Sequence, residues 1–226
     1  MTPKKHELGQ GLAEFALLIV LVATVASLTL VVTGTSLQDV YCSAVAGITG
    51  KDPCAAALSE DFSDLSDWQI VWGRNWRIED GKLCGSGWGA LFNTQFSGDD
   101  YTINLGKANL ARGNGYGVFF RAQNYSRPEG YIFQYDPGWR GGAFIFRKWV
   151  NGHELYPFAE ARMPGYDWHG EDHQITVAVE GNTYIAYVDG QEVLRASDST
   201  YTQGGIGLRT WDRTAVCFDD LTITTP

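Results

Sequence analysis

The chain has 226 residues, enough for one domain of about 150 residues with an appended segment. Its formal net charge of −9 at pH 7 and its pI of about 4.8 argue against nucleic acid or an anionic membrane surface as a partner. All 8 tryptophans lie from Trp68 onward. The distal part is therefore predicted to be the globular, working part of the protein.

The first element in the chain is a long apolar run. Residues 15–32 carry no ionisable side chain, and counted from Leu12 the run reaches the roughly 20 residues that a membrane-spanning helix needs. Lys4 and Lys5 precede it, which orients the N-terminus toward the cytoplasm. Glu14 lies at its start, where a carboxylate in lipid costs about 2.5 kcal/mol or more. Glu14 is therefore expected to have a partner.

Gly9 directly precedes Gln10, and Glu14 and Phe15 follow as the fifth and sixth residues counted from Gln10. This arrangement resembles the N-terminus of type IV prepilins of the Flp/Tad (type IVb) class, although Phe15 stands where Tyr is usual. The resemblance implies that a prepilin peptidase cuts after Gly9 and that Glu14 pairs with the N-terminal amine of a neighbouring subunit. A secretory signal is the first alternative, but its apolar region is shorter. A plain anchor explains the length of the run and not the spacing of Gly9 and Glu14.

The predicted organisation has four parts. These are a prepilin leader (1–9), a hydrophobic spine helix (10–50), a linker (51–59) and a β-sandwich (60–226). The fold class is accordingly mainly β, with a long N-terminal α-helix followed by an antiparallel sandwich of the jelly-roll type.

Four cysteines, Cys42, Cys54, Cys84 and Cys217, all follow the apolar run. An even number on the exported side indicates two disulfides, although four cysteines permit three pairings. We favour Cys42–Cys54 and Cys84–Cys217. Zinc is the competing hypothesis, but no two cysteines have the close ligand spacing of a zinc site.

From Asp61 onward the hydrophobic pattern has a period of two, which indicates β-strands. Three dipeptides typical of tight hairpins, Asp80-Gly81, Asn151-Gly152 and Asp189-Gly190, separate pairs of these segments. The predicted strands are 76–78, 82–84, 101–105, 117–121, 131–135, 143–149, 174–179, 184–188, 191–194, 205–209 and 216–223. Many short strands joined by such turns favour a two-sheet sandwich or jelly roll.

Five segments of this region occur in an order typical of one superfamily. They are Glu60-Asp61-Phe62-Ser63-Asp64, residues 76–83 (WRIEDGKL), residues 115–122 (GYGVFFRA), residues 184–190 (YIAYVDG) and residues 216–221 (VCFDDL). Together they resemble the concanavalin A-like, laminin G-like jelly rolls. That superfamily includes lectins, carbohydrate-binding modules, adhesion domains and glycosidases, so the fold does not choose the function.

Glycan-binding side chains are predicted on and near residues 131–140, where aromatic and polar residues alternate. Sugar rings stack on aromatic rings, and their hydroxyls need a few directed polar partners. Strand alternation divides residues 131–136 between two faces, one of which packs in the core. The candidates for a concave ligand-binding face are Arg121, Tyr131, Tyr135, Trp139, Trp149 and Trp168.

A structural Ca²⁺ is the candidate cofactor. Glu60 and Asp61 begin the sandwich, and Asp219 and Asp220 lie in its last strand. If the first and last strands pair, these four carboxylates meet, and clustered oxygens suit Ca²⁺. The alternative is that they are solvated residues of turns and strand edges.

Catalysis is not expected. His169, Glu171, Asp172 and His173 cluster in sequence, but the H-E-x-x-H motif of zinc hydrolases is missing. The alternating acids of the glucanase branch of the fold are also missing.

The sequence therefore predicts a structural pilin subunit rather than an enzyme. It begins in the inner membrane as a prepilin, meets the prepilin peptidase and the pilus assembly machinery, and polymerises with itself into an extracellular filament. Its sandwich would serve adhesion or glycan binding. The alternatives are a membrane-tethered carbohydrate-binding or carbohydrate-active protein and a secretion-system pseudopilin.

Overall fold

The computed structural model of the chain describes Ala44, Gly47, Ile48, residues 56–163 and residues 169–226. The chain divides between residues 54 and 55 into two units, and the second, Ala55–Pro226, contains all of the strands given below. The predicted leader and nearly all of the predicted spine helix, with Gly9, Gln10, Glu14, Phe15, Cys42 and Cys54, lie outside the described residues. Within the described ranges, no helix has both the length and the apolar character needed to cross a membrane. The apolar run 15–32 is not part of those ranges.

Sixteen strands form two antiparallel sheets in the described part of the chain. Sheet A has the order β14 (Gln191–Ser197), β13 (Thr183–Val188), β12 (Asp172–Glu180), β6 (Tyr101–Arg112), β16 (Ala215–Thr224), β4 (Lys82–Ser86) and β3 (Trp76–Glu79), with β1 (Ala56–Glu60) also on β16. Sheet B has the order β10 (His153–Glu154), β9 (Ala143–Val150), β8 (Glu129–Asp136), β7 (Tyr116–Gln123), β15 (Gly205–Thr210), β5 (Gly89–Asn93) and β2 (Trp68–Trp72), with β11 (Ala159–Arg162) on β9. The prediction of an antiparallel β-sandwich is confirmed.

The main core lies between the two sheets and is rich in aromatic side chains. In β8, Tyr131, Phe133 and Tyr135 are all at most 1% exposed and belong to this core. Because side chains alternate along a strand, Ile132 and Gln134 lie on the other face of sheet B. The predicted division of residues 131–136 between two faces is therefore correct, and the odd-numbered residues take the core side.

The three predicted hairpin turns are present. Asp80-Gly81, Asn151-Gly152 and Asp189-Gly190 all have positive φ at both residues, for example 50° and 72° at the first pair. This is the backbone of the tight turns that match the twist of antiparallel strands. Each turn connects two strands that pair directly, β3 with β4, β9 with β10, and β13 with β14.

A disulfide joins Cys84 of β4 to Cys217 of β16, which lie directly opposite each other in sheet A. The predicted Cys84–Cys217 pairing is confirmed. Its two ends are 133 residues apart in sequence, so the bond restricts the unfolded chain and contributes about 2–4 kcal/mol to stability. It ties the early strands to the last one. The β1 strand, which begins at Ala56 inside the predicted linker, also pairs with β16.

Candidate functional site

The face of sheet B that points away from sheet A, here called the outer face, is concave. Trp72 of β2 and Trp149 of β9 stack with ring centroids 5.8 Å apart, although four strands separate β2 from β9. The five strand-to-strand spacings from β9 to β2 amount to about 24 Å on a flat sheet. Two side chains cannot bridge that distance. The sheet must therefore curve toward its outer side.

One half of the outer face is apolar. It holds a second buried cluster that includes Phe92, Phe119, Ile132 and Trp149. Phe92 and Phe119 lie 4.9 Å apart between centroids, and Trp149 meets Phe119 edge-on at 5.5 Å. This packing, together with the Trp72 ring stacked at 5.8 Å, holds the Trp149 ring in one orientation.

The other half carries a buried guanidinium. Arg209 of β15 is 5% exposed and donates to both carboxylate oxygens of Glu154 in β10, at 2.7 and 3.3 Å. Its Cζ lies 4.8 Å from the ring centroid of Trp149 and 5.0 Å from that of Trp211. Burial lowers the pKa of Arg209, and the Glu154 carboxylate opposes that change. The guanidinium stays charged at neutral pH, because an arginine side chain in a protein is effectively always protonated.

Two further side chains extend this contact into what we call the Arg209 network, which comprises Gln134, Arg147, Glu154 and Arg209. Gln134 Nε2 donates to Glu154 Oε1 at 2.6 Å, and Arg147 Nε donates to Gln134 Oε1 at 3.0 Å. The Arg147 guanidinium also lies 4.5 Å from the ring centroid of Trp139. Charged and amide groups thus alternate across the face, with indole rings beside both guanidiniums.

A glycine in β7 lies between two residues of the network. Gly117 pairs with Arg209 on one side and with Gln134 on the other. The Ile132 side chain packs over this glycine, because a Cβ at Gly117 would come within 2.5 Å of Ile132 Cδ1. Arg209 and Gln134 therefore flank an apolar contact between Gly117 and Ile132.

Asp136 lies two residues after Gln134 on β8 and therefore on the same face of the sheet. Burial raises the pKa of Asp136 above its ordinary value, while the Arg147 guanidinium acts in the opposite direction. Asp136 therefore adds an acceptor at the edge of the network and takes up a proton more readily than a solvated aspartate.

Two donors within this face have no hydrogen-bond partner in the described structure. They are Nε of Arg209 and Nε1 of Trp149, both buried. A buried donor without a partner costs about 1–3 kcal/mol. Both nitrogens are covered by neighbouring atoms, so a ligand hydroxyl would reach either donor only after those neighbours moved.

The predicted glycan-binding aromatic residues divide into three groups. Trp149 lies in the site, and Trp139 borders it, where its Nε1 donates to Glu160 at 2.8 Å. Tyr131 and Tyr135 were predicted wrongly, because both are buried between the sheets. Trp168 lies outside the described residues.

Arg121 is also a correction. It is 2% exposed, and its guanidinium donates to backbone carbonyls of Asp99, Gly181 and Tyr201 and to the Tyr184 hydroxyl. A positive φ of 48° turns its side chain out of the strand alternation and into the end of the sandwich. Arg121 is therefore a structural residue that joins loops, and it does not line the outer face.

Sequence reasoning missed Glu154, Arg209 and Trp211 as site residues. The signal for two of them was present in residues 205–211, where Gly, Gly, Arg and Trp alternate with Ile, Leu and Thr. Ile206 and Leu208 belong to the core, which places Arg209 on the opposite face. For Glu154 no local signal exists, because only the curvature of the sheet brings β10 near β15.

The four carboxylates predicted to bind Ca²⁺ have protein partners. The first and last strands do pair, with Glu60 opposite Leu221. Glu60 accepts from Trp68 Nε1 at 2.9 Å, and Lys107 Nζ lies 3.2 Å from Asp219 and 3.5 Å from Asp220. An ammonium therefore stands where a cation bound to Asp219 and Asp220 would lie.

Asp61, the fourth of these carboxylates, accepts from the backbone N–H of Ser63 at 2.9 Å. In the described ranges, the one group of three side chains with metal-ligand atoms within 4.8 Å of one another is Glu79, Cys84 and Cys217. Its two sulfurs form the disulfide. The Ca²⁺ site stays a prediction.

The sequence of the sandwich matches a known family of protein domains. The model of the 3-keto-alpha-glucoside-1,2-lyase-like domain family matches residues 58–224. Levanase from Bacillus subtilis (strain 168) is 30% identical over 158 residues, which is 69% of this chain and 22% of the levanase. The chain thus matches less than a quarter of that relative's length.

Solved structures show the same fold. The carbohydrate binding module CBM66 from Bacillus subtilis is 26% identical with a TM-score of 0.61, covering 70% of this chain and 96% of the module. The β-glucanase of Bacillus licheniformis has a TM-score of 0.57 at 16% identity, over 76% of this chain and 99% of the glucanase, which shows the fold alone. None of the relatives named here is a pilin, and the family match leaves residues 1–57 uncovered. The prepilin resemblance stays a prediction.

Proposed function

Because the chain belongs to the family of 3-keto-alpha-glucoside-1,2-lyase-like domains, we propose that its sandwich binds carbohydrate on the outer face of sheet B. The observation that carries the proposal is the Arg209 network, a buried Arg–Glu–Gln–Arg chain beside indole rings on a concave surface. The similarity to a carbohydrate binding module and to a levanase supports it.

The proposed binding mode follows from the chemistry of this face. A sugar ring presents C–H groups that pack on indole, and its hydroxyls accept and donate in fixed directions. Trp139 offers a ring beside Arg147, and Trp211 offers one beside Arg209. Arg209 and Asp136 offer a donor and an acceptor between them. Because the network is held by its own hydrogen bonds, little side-chain entropy is lost on binding.

Affinity electrophoresis and calorimetry of the full-length protein in mild detergent, against levan and a panel of other neutral polysaccharides, test this proposal. We expect at least one polysaccharide to bind, and Glu154→Gln to weaken that binding, because it removes the charge that holds Arg209 in place. The bound polysaccharide should be recovered unchanged, in keeping with the prediction that the domain is not an enzyme. Wild-type protein that binds nothing in the panel, or Glu154→Gln protein that binds like wild type, would contradict the proposal.

For the N-terminal segment, the proposal remains a pilin-like one. The spacing of Gly9, Gln10 and Glu14 supports cleavage by a prepilin peptidase and pairing of Glu14 with a neighbour's terminal amine, first in the inner membrane and then in an extracellular filament. Moving a carboxylate into a low-dielectric environment costs desolvation free energy, which only a paired positive charge offsets. The sandwich would then display the carbohydrate site on the cell surface.

Replacing Glu14 tests this second proposal. We expect wild-type material sheared from cells to contain fibres whose chains begin at Gln10, and Glu14→Gln to abolish those fibres while leaving the cleavage intact. N-terminal sequencing and electron microscopy report the two results separately. An intact Met1 in the mature protein would indicate a plain anchor, and short membrane-bound assemblies would indicate a pseudopilin.

A further inference from the structure

A polar cleft of about 700 Å³ opens at the end of the sandwich where loops of both sheets meet. It lies beyond the ends of β4, β6 and β15 and is distinct from the Arg209 network. Its polar lining includes Asn75, Ser86, Arg112, Asn114, Asp212 and Arg213. Nothing in the proposed function so far uses this cleft.

Two arginines in the cleft are unpaired. Arg112 and Arg213 are exposed, and within the described part of the chain neither side chain makes a hydrogen bond or an ion pair. Asp212, the one acid in the lining, accepts from Asn114 Nδ2 at 2.6 Å. In a protein of net charge −9, two unpaired guanidiniums facing one cleft form a local anion-binding surface. The planar fork of a guanidinium matches a carboxylate in two parallel hydrogen bonds.

An exposed tryptophan joins the cleft to the carbohydrate site. Trp88 is 63% exposed and directly follows Gly87 of the cleft wall. The next residue, Gly89, pairs with Thr210, so Trp88 and Trp211 lie side by side at the ends of β5 and β15. Since Trp211 contacts Arg209, the strand register places Trp88 between the cleft wall and the Arg209 network.

We propose that the cleft binds a carboxylated sugar, a uronate residue of an acidic polysaccharide whose neighbouring residues lie on the outer face of sheet B. This inference rests on the proposed function and names its substrate class. Arg112 and Arg213 hold the carboxylate, Trp88 stacks on the ring, and the Asn75 and Asn114 amides meet its hydroxyls. No covalent step is involved.

The test compares uronate oligosaccharides with the same compounds after methyl esterification, which removes the charge and keeps the sugar. Galacturonate, mannuronate and guluronate oligomers are titrated calorimetrically into the full-length protein. We expect wild type to prefer at least one acid over its ester by about tenfold, the value of one charge-assisted hydrogen-bond pair. The double variant Arg112→Gln/Arg213→Gln should lose that preference. The preference should also fall as salt rises, because both arginines are exposed.

The matched control is Arg127→Gln, which removes an exposed arginine in the loop at the far end of β7 and should leave the preference unchanged. Equal affinity of wild type for acid and ester throughout the panel, or a preference that survives in the double variant, would overturn the uronate site. Either result leaves the proposed function standing if neutral polysaccharides bind in a Glu154-dependent way. Acid binding that depends on Arg112 and Arg213 but not on Glu154 would instead support the cleft and count against the Arg209 network.

Discussion

Arg209→Ala is expected to weaken polysaccharide binding by about 100-fold, the effect of truncating a buried, central contact residue. The guanidinium touches both Trp149 and Trp211 while it pairs with Glu154. Its removal leaves the Glu154 carboxylate with the hydrogen bond from Gln134 and takes away the cation between the two indole rings. Arg209→Lys should also bind poorly, because an ammonium keeps the charge and loses the planar stacking. Calorimetric titration with a polysaccharide that wild type binds measures the effect.

Arg195→Ala is the control for this prediction. Arg195 also makes a two-pronged contact with a glutamate, Glu192, at 2.9 and 2.7 Å, but the pair is exposed on sheet A. Exposed ion pairs contribute at most about 1 kcal/mol to stability, and this one lies far from the outer face. The variant should therefore bind like wild type. Equal losses in the two variants would mean that binding follows the overall charge of the protein and not the Arg209 network.

Arg121→Ala is expected to lower the free energy of unfolding by about 3–5 kcal/mol, as the removal of one partner from a buried charged network does. The Arg121 side chain donates hydrogen bonds to the backbone carbonyls of Asp99, Gly181 and Tyr201, which lie on three different loops. Its backbone N–H also donates to the Tyr101 hydroxyl at 2.7 Å. Truncation leaves the carbonyls without donors and opens a cavity. Urea unfolding followed by tryptophan fluorescence measures the change.

Arg127→Ala, in the exposed loop after β7, is the stability control and should change the free energy of unfolding by less than about 0.5 kcal/mol. Arg121→Ala protein that still folds should bind polysaccharide as wild type does, because Arg121 does not reach the outer face. A variant with unchanged stability and lost binding would restore Arg121 as a ligand contact and contradict the structure.

Local patterns in the sequence predicted most strands. The hairpins at Asp80-Gly81, Asn151-Gly152 and Asp189-Gly190 were predictable, because their turn residues and alternating flanks act over a few positions. The β5 strand, Gly89–Asn93, was missed because its sequence, GALFN, does not alternate between apolar and other residues. The β15 strand is just as buried but was predicted, because Gly alternates with Ile and Leu at its start.

The site was harder to predict than the fold. Trp139 and Trp149 were identified from aromatic enrichment, but the same enrichment also selected Tyr131 and Tyr135, which pack in the core. Nothing local distinguishes a core aromatic from a ligand-facing one until the phase of the alternation is known. The Arg209–Glu154 pair depends on the curvature of sheet B, a property of seven strands together. The Arg121 prediction failed because a single positive φ reversed the direction of its side chain.

The most direct test of the carbohydrate site is the NMR signal of the tryptophan indole N–H groups during titration with a bound polysaccharide fragment. Trp149 and Trp76 both have buried indole nitrogens without a partner, but Trp149 lies on the outer face and Trp76 lies in the core between the sheets. We expect the Trp149 and Trp211 resonances to shift with ligand concentration while that of Trp76 stays in place. Saturable binding that leaves both Trp149 and Trp211 unchanged would place the ligand elsewhere and contradict the account.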